Sequence, residues 1–409
     1  MSNTLITPNW VLKRVGKLAI NNLKFANNVD RSYDDEFVQS GAKVGDTINL
    51  RLPQQYQTTK GQAFQQQAVT DRIVPVTLTD QANVGISFSS FQMTVDVDDY
   101  MGRYIEPAGV QLANTMDLDG LTRVAQQIYN VVGTPGTLAT DNATYLAANT
   151  LLSGLACPPE RFVITSPDQQ AAITAANFAL FNPTNTIGDS FETGVYSSNT
   201  LGFRKWFWDQ NVANHTNGNF IGTPLVMGAN QTGSTITIDG FSGGATVRVG
   251  DRFTMGASAI TAASTGVFFV NPQNYQGLRS LGTFVVTAPA TESGGAMTIN
   301  ISPSIITAGQ LQSVTASPVD NAVVTFIGAA SAVGQQAIAW TKQAAVMVMA
   351  DLVMPEGGAI GERISSKPLG FALRFVKQFN ILSDQNLARV DCLYGWRAYR
   401  PEWMSIIYG

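Results

Sequence analysis

The side chains able to do chemistry are few in this sequence, and their spacing argues against each reaction they could serve. The single histidine, His215, lies in the polar stretch NVANHTNG, which reads as a turn. A hydrolytic triad would place it beside a serine and a carboxylate. Asp209 is near in sequence, but no G-x-S-x-G elbow occurs anywhere. His215 therefore reads as a satisfied or solvated loop residue. Cys157 and Cys392 stand far apart, without zinc-ligand spacing or a disulfide framework, and read as reduced buried thiols. With one His and two Cys, a catalytic zinc would need carboxylate ligands almost alone. Carboxylate clusters of the kind used in glycoside hydrolysis occur at Asp34, Asp35 and Glu36 and at Asp96, Asp98 and Asp99. The first abuts an N-terminal arm; the second lies where a helix begins, which favours acids. Both read as solvated or capping groups. Asp117 and Asp119 lie two apart on one predicted helix and so point in different directions. The segment GSTITIDGFSGG lacks the Lys-Ser/Thr ending of a phosphate loop, and its glycines read as positive-φ residues of β-turns. Trp206, Phe207 and Trp208 could form a sugar platform, but they read better as strand residues of a core. No catalytic residue, metal ligand or cofactor site is assigned, and the chain is not expected to be an enzyme.

Composition points elsewhere. Of the 409 residues 44% are apolar and only 13% charged, against about 25% charged in ordinary soluble domains. Such a surface suits a protein covered by partners. The net charge of −4 excludes a dedicated clamp on nucleic-acid phosphates. Residues 10–25 interleave charged and apolar side chains, so no secretory leader is expected. No run reaches the roughly 18 apolar residues of a spanning helix. A soluble protein made in the cytoplasm is the expectation.

The elements follow from periodicity. Residues 9–26 have helical spacing and a basic surface, with no acid before Asp30. Residues 44–92 predict strands in VGDTINLRLP, IVPVTLTD and ANVGISFSS, with a polar tip holding seven Gln between residues 54 and 67. An isolated ribbon of this kind is marginal in water and needs a surface to lie on. Pro107 and the series Val110, Ala113, Met116, Leu121, Val124, Ile128 and Val131 predict a long helix over 105–132, ended by Gly133 and Pro135. RFVITSPDQQAAI predicts a buried strand running into a helix. From Thr223 to Trp340 only seven residues are charged, none of them Lys, and short alternating runs separated by Gly-rich turns predict an all-β barrel or sandwich. The aromatic C-terminal stretch predicts long paired strands.

The order of parts resembles the Hong Kong-type fold of tailed-phage and herpesvirus major capsid proteins. More narrowly it is similar to podovirus-type coat proteins with an inserted telokin-like β-barrel. The runs VRVGDRFTM, VFFVNPQNY, GTFVVTAP and MTINISPSI carry the likeness for the insertion. RFVITSPDQQAAI carries it for the central body, and YGWRAYRPEWMSIIYG for the C-terminus. The resemblance implies an α+β fold. Its parts would be an N-terminal arm at 1–43, an extended β-hairpin loop at 44–92, and a peripheral domain with spine helix at 93–132 and 370–409. An axial domain would cover 133–222 and 341–369, and the inserted barrel 223–340. The charged projecting loop common in such insertions is not visible here. The implied function is a structural subunit that self-assembles into pentamers and hexamers of an icosahedral shell. Scaffolding and portal proteins would be its other partners. The shell would enclose double-stranded DNA without sequence-specific recognition, with no membrane involved, and would be assembled in the bacterial host cytoplasm. Arg51, Tyr56, Lys60, Phe64, Asp71 and Arg72 of the hairpin are the candidate inter-subunit contacts. Lys60 reads as an ordinary exposed lysine, although it could take part in covalent linkage. The competing readings are an exported β-rich protein that binds or cleaves carbohydrate, and another virion part such as a tail tube or decoration protein.

Overall fold

Period-two alternation carries most of this chain into strands. A computed structural model describes residues 23–32, 47–62, 64–69, 71–90, 101–176, 200–256, 265–355, 360–366 and 371–408. Most of the predicted arm helix, and the clusters Asp34–Glu36 and Asp96–Asp99, lie outside the described residues. The chain divides into two units. One comprises Met1–Leu50, Ile73–Gly120 and Val346–Arg397; the other Arg51–Arg72, Leu121–Ala345 and Ala398–Gly409.

In the first unit the central strand is Gln385–Ala398. It pairs antiparallel with Phe371–Asn380 on one side and with Asp80–Ser89 on the other. The predicted third strand of the N-terminal hairpin is thus a partner of the C-terminal hairpin, because its apolar residues match that sheet. Ala388, Val390, Cys392 and Tyr394 form the buried face. They meet helix α1 (Glu106–Ala125), where Tyr394 donates to Asp119 Oδ2 at 2.6 Å and Cys392 Sγ lies 3.7 Å from Met116 Sδ. Gly120 makes this approach possible: a Cβ there would sit 2.6 Å from the Trp396 ring. On the opposite face Arg374 holds the fully buried Asp391 through Nε at 2.9 Å and Nη2 at 2.5 Å, and Arg389 Nε adds a contact at 3.0 Å. Asp117, fully buried on α1, accepts backbone N–H bonds from Lys24, Phe25 and Ala26 at 2.6, 3.1 and 3.0 Å. It thereby moors the segment that enters the 3₁₀ turn Ala26–Asn28. Asp117 and Asp119 do serve different partners, as their spacing predicts.

Helix α1 is shorter than the periodicity suggests. It has 20 residues, about 30 Å at 1.5 Å per residue, and ends at Ala125 rather than near 132. Val131 and Val132 instead pair in parallel with Ile406 and Ile407 of the last strand, Met404–Tyr408. The helical apolar spacing of Ile128 and Val131 is overridden by a strand partner that no local pattern reveals.

The second unit holds two layers of different kind. A six-stranded mixed sheet includes Met404–Tyr408, Val333–Thr341, Arg161–Thr165 and Lys205–Trp208. Strand Arg161–Thr165 is buried throughout and leads into helix α3 (Pro167–Ala176), with Pro167 at its first position and Ser166 Oγ accepting the Gln169 N–H at 3.2 Å. Helix α2 (Asn142–Gly154) packs Tyr145, Ala148 and Leu152 against the same core. Trp206 is buried there, but Trp208 is 45% exposed, so the aromatic run only partly serves the core. The six barrel strands run in the order Val324–Phe326, Arg252–Met255, Thr283–Val286, Met297–Ile305, Gly233–Phe241 and Gly222–Val226. A bridge between Leu225 and Val323 brings the two edges together, so the sheet nearly closes. Phe253, Phe284, Phe269 and Phe326 fill it with Ile236, Ile238 and Ile299. Gly244 has the positive φ expected of a turn, whereas Gly233 and Gly240 have positive φ within a strand, and a Cβ at Gly240 would sit 2.3 Å from the Thr223 carbonyl oxygen.

Candidate assembly surfaces

The N-terminal ribbon is formed by Thr47–Leu52 and Arg72–Thr77, which pair as a two-stranded sheet. Its tip is not left wholly to itself. Gln57 Nε2 donates to Gly309 O at 3.0 Å and Gln310 Nε2 to Gln67 Oε1 at 2.9 Å. Gln67 Oε1 also takes the Gln57 N–H at 3.0 Å, and Gln67 Nε2 returns a bond to Gln57 O. Tyr275 donates to Gln310 O at 3.0 Å. This glutamine clasp gives the tip part of the surface that an isolated ribbon needs. The clustered Gln were the signal; their partners lie more than 200 residues away, where no local pattern points.

The six candidate contact residues are spread along this ribbon. Arg51 is exposed, and its carbonyl accepts the Tyr399 hydroxyl at 2.5 Å. Asp71 Oδ1 accepts Gln54 Nε2 at 3.0 Å, and Arg72 Nη2 donates to Pro53 O at 3.3 Å. Lys60 is exposed. Tyr56 is 60% exposed and Phe64 91% exposed, with Val69 and Ile73 also exposed. Asp71 and Arg72 thus bond within the ribbon, while Tyr56 and Phe64 face outward.

His215 departs from its sequence reading. It is a buried strand residue, in Asn214–Thr216, and not a member of an open turn. Strand pairing of 214–216 with 333–335 draws it inward. Its Nε2 lies 2.8 Å from Asp251 Oδ1; that carboxylate also accepts N–H bonds from Gly218 at 3.1 Å and Arg248 at 2.6 Å. Among the described residues no serine is bonded to this pair. Beside it Arg252, 2% exposed, donates to the carbonyls of Ala125 at 2.5 Å, Ile128 at 2.8 Å and Gly250 at 2.8 Å, and to the Tyr408 hydroxyl at 2.9 Å. The guanidinium satisfies carbonyls at the C-terminal end of α1, where a positive charge is favoured. Sequence reading missed this residue because a lone Arg in an apolar strand run carries no mark of its partners.

Among the described residues no group of His, Cys, Asp and Glu could hold a metal ion, and no helix is long and apolar enough to cross a membrane. Both thiols are buried. Burial pushes Cys157 up to about 11 and Cys392 to about 12. Alkylation with iodoacetamide at pH 8 is therefore expected to leave both unmodified in the native protein and to label both in denaturant, as read by mass spectrometry.

A model of the family described as P22 coat protein, gene protein 5, matches residues 3–407. The chain belongs to that family. It is a phage major capsid protein, a structural subunit of an icosahedral shell and of the virion, and not an enzyme. Self-assembly into a shell of repeated subunits follows. Solved capsids resemble the coat protein at low identity. The Mycobacterium phage Che8 structure has a TM-score of 0.47 at 12% identity, covering 94% of this chain and 90% of that one. The capsid of Ralstonia phage GP4 has a TM-score of 0.43 at 10% identity, covering 93% and 86%. The bacteriophage PhiM1 mature capsid has a TM-score of 0.41 at 9% identity, covering 89% and 82%. A comparison with curated proteins gives no match.

Proposed function

We propose that the coat protein builds its shell from pentamers and hexamers in which the ribbon of one subunit lies on the next. The observation that carries this reading is Phe64, 91% exposed at the ribbon tip, with Tyr56 at 60%. Such side chains gain about 1.5–3 kcal/mol each when fully buried. Arg51, Lys60, Asp71 and Arg72 flank them and supply rim charges to set register. The glutamine clasp holds the base of the tip, which lowers the ordering cost of docking. Each contact is weak alone, and closure of a shell multiplies it. The parts of the subunit take their names from the resemblance: arm 1–43, ribbon 44–92, peripheral 93–132 and 370–409, axial 133–222 and 341–369, insertion 223–340; the strands Val333–Thr341 and Met404–Tyr408, which pair with each other and with Arg161–Thr165 through the first of them, are read here as axial. Scaffolding and portal proteins are the other partners, double-stranded DNA is enclosed without sequence readout, and assembly takes place in the host cytoplasm. The net charge of −4 agrees with passive containment.

Deletion of residues 54–70 tests the ribbon. The shortened chain is expected to stay soluble and folded by circular dichroism, yet to form no shells by size-exclusion chromatography and negative-stain microscopy. Phe64→Asp is the milder variant, expected to weaken each contact by tenfold or more. Normal shells from both proteins would remove the ribbon from the interface.

A further inference from the structure

The hairpin of Phe371–Asn380 and Gln385–Ala398 carries at its tip the most exposed apolar pair of the described first unit. Ile381 is 82% exposed and Leu382 95%. The tip is held outward: Ser90 Oγ donates to Asp384 Oδ1 at 2.5 Å, the Ser90 N–H to Asp384 O at 3.3 Å, and the Leu382 N–H to Asn380 Oδ1 at 3.0 Å. The same hairpin bears a groove of about 430 Å³ on its outer face, walled by Val376, Leu387, Pro355, Arg374 and Arg389. Strand register explains its shape. Gly85 stands opposite Arg389 and Ser87 opposite Leu387, so one strand offers almost no side chain on this face. A Cβ added at Gly85 would meet nothing within 4 Å.

We propose that Ile381 and Leu382 of one copy of this chain seat in the outer-sheet groove of a second copy. The inference rests on the shell-forming reading above. Three observations favour a second copy over other occupants. The tip and much of the groove's lining lie on the same hairpin, and the Ser90–Asp384 bonds fix the turn at the end of that hairpin. The groove offers Val376, Leu387, Ala388 and Pro355 beside the small Gly85 and Ser87, a surface that suits two branched aliphatic side chains, together with the polar Arg374, Gln378 and Arg389. Charge is complementary as well: among the described residues Arg374 and Arg389 share the carboxylate of Asp391, leaving a net positive wall, while the tip brings the exposed Asp384. Tip and groove are different patches, so the contact is heterologous and must close into a ring or continue across a lattice.

The test uses two full-length variants, Leu382→Cys and Gly85→Cys, mixed before assembly and then oxidised. The native thiols are buried and stay out of the reaction. A disulfide-linked dimer from the mixture, with none from either variant alone, is the expected result. A third variant, Gly85→Phe, fills the groove with no backbone strain, and its shell yield is expected to fall tenfold or more while its circular dichroism is unchanged. Shells that form normally without the cross-link overturn the inference. So does a Phe64→Cys variant that links to Gly85→Cys in place of Leu382→Cys, because the ribbon would then occupy the groove. Absence of any shell from the unmodified protein overturns the shell-forming reading, and this inference with it, and is told apart by that control.

Discussion

Arg252→Met is expected to lower the unfolding free energy by about 3–5 kcal/mol, because several buried acceptors lose their donor at about 1–3 kcal/mol each. The side chain is 2% exposed and its partners are neutral oxygens: three carbonyls and the Tyr408 hydroxyl. Methionine fills much of the volume but donates nothing, so these acceptors lose their donor inside a dry site. Gln336 still reaches the Tyr408 hydroxyl at 3.1 Å, so the carbonyls of Ala125, Ile128 and Gly250 bear most of the loss. Urea denaturation monitored by tryptophan fluorescence reads the change. Arg252→Lys keeps the charge but presents a point donor in place of a planar fork, and an intermediate loss is expected. A loss below 1 kcal/mol for the methionine variant would show that water takes over these carbonyls.

Asp117→Ala is expected to release the segment Leu23–Asn28 from α1. Three backbone N–H groups converge on this fully buried carboxylate, and leaving buried donors without an acceptor costs about 1–3 kcal/mol each. Part of that is recovered because Phe25 remains stacked on Trp396 at 5.4 Å between ring centroids. A net local loss of about 3 kcal/mol corresponds to roughly a hundredfold larger open population. Trypsin reads it directly, since Lys24 lies within the moored segment and Arg31 just after it. Cleavage there is expected to speed up by about two orders of magnitude, with Asp117→Asn between the two. Unchanged cleavage would mean that Phe25 and its apolar neighbours hold the segment unaided.

Both predictions concern polar groups whose partners are distant in sequence, and that is where reading the chain alone stopped. The apolar face of Asp80–Ser89 was visible as alternation in ANVGISFSS, but its pairing with Gln385–Tyr394 was not, because period two states which residues face inward and not which strand they meet. The same holds for Ile381 and Leu382. They lie in a turn-like NILSD, where two aliphatic residues have no periodic neighbours to make them conspicuous.

What the amino-acid sequence determined by itself is local. Alternation set the barrel strands, Pro167 after Ser166 opened α3, and Gly-rich turns with positive φ separated the strands of the insertion. Scarcity of His and Cys and the low charge already turned the reading away from catalysis and toward a covered surface. The tertiary structure alone decided where α1 ends, because a parallel partner for Val131 and Val132 and a guanidinium for the last carbonyls outweigh helical spacing. It alone decided that the glutamines of the ribbon grip residues 309 and 310, and that His215 turns inward to Asp251. The physical reason is common to all three: strand pairing and polar satisfaction are long-range. The energy of an unpaired carbonyl, carboxylate or amide is fixed by whichever distant group reaches it, and that is known only once the chain has closed on itself.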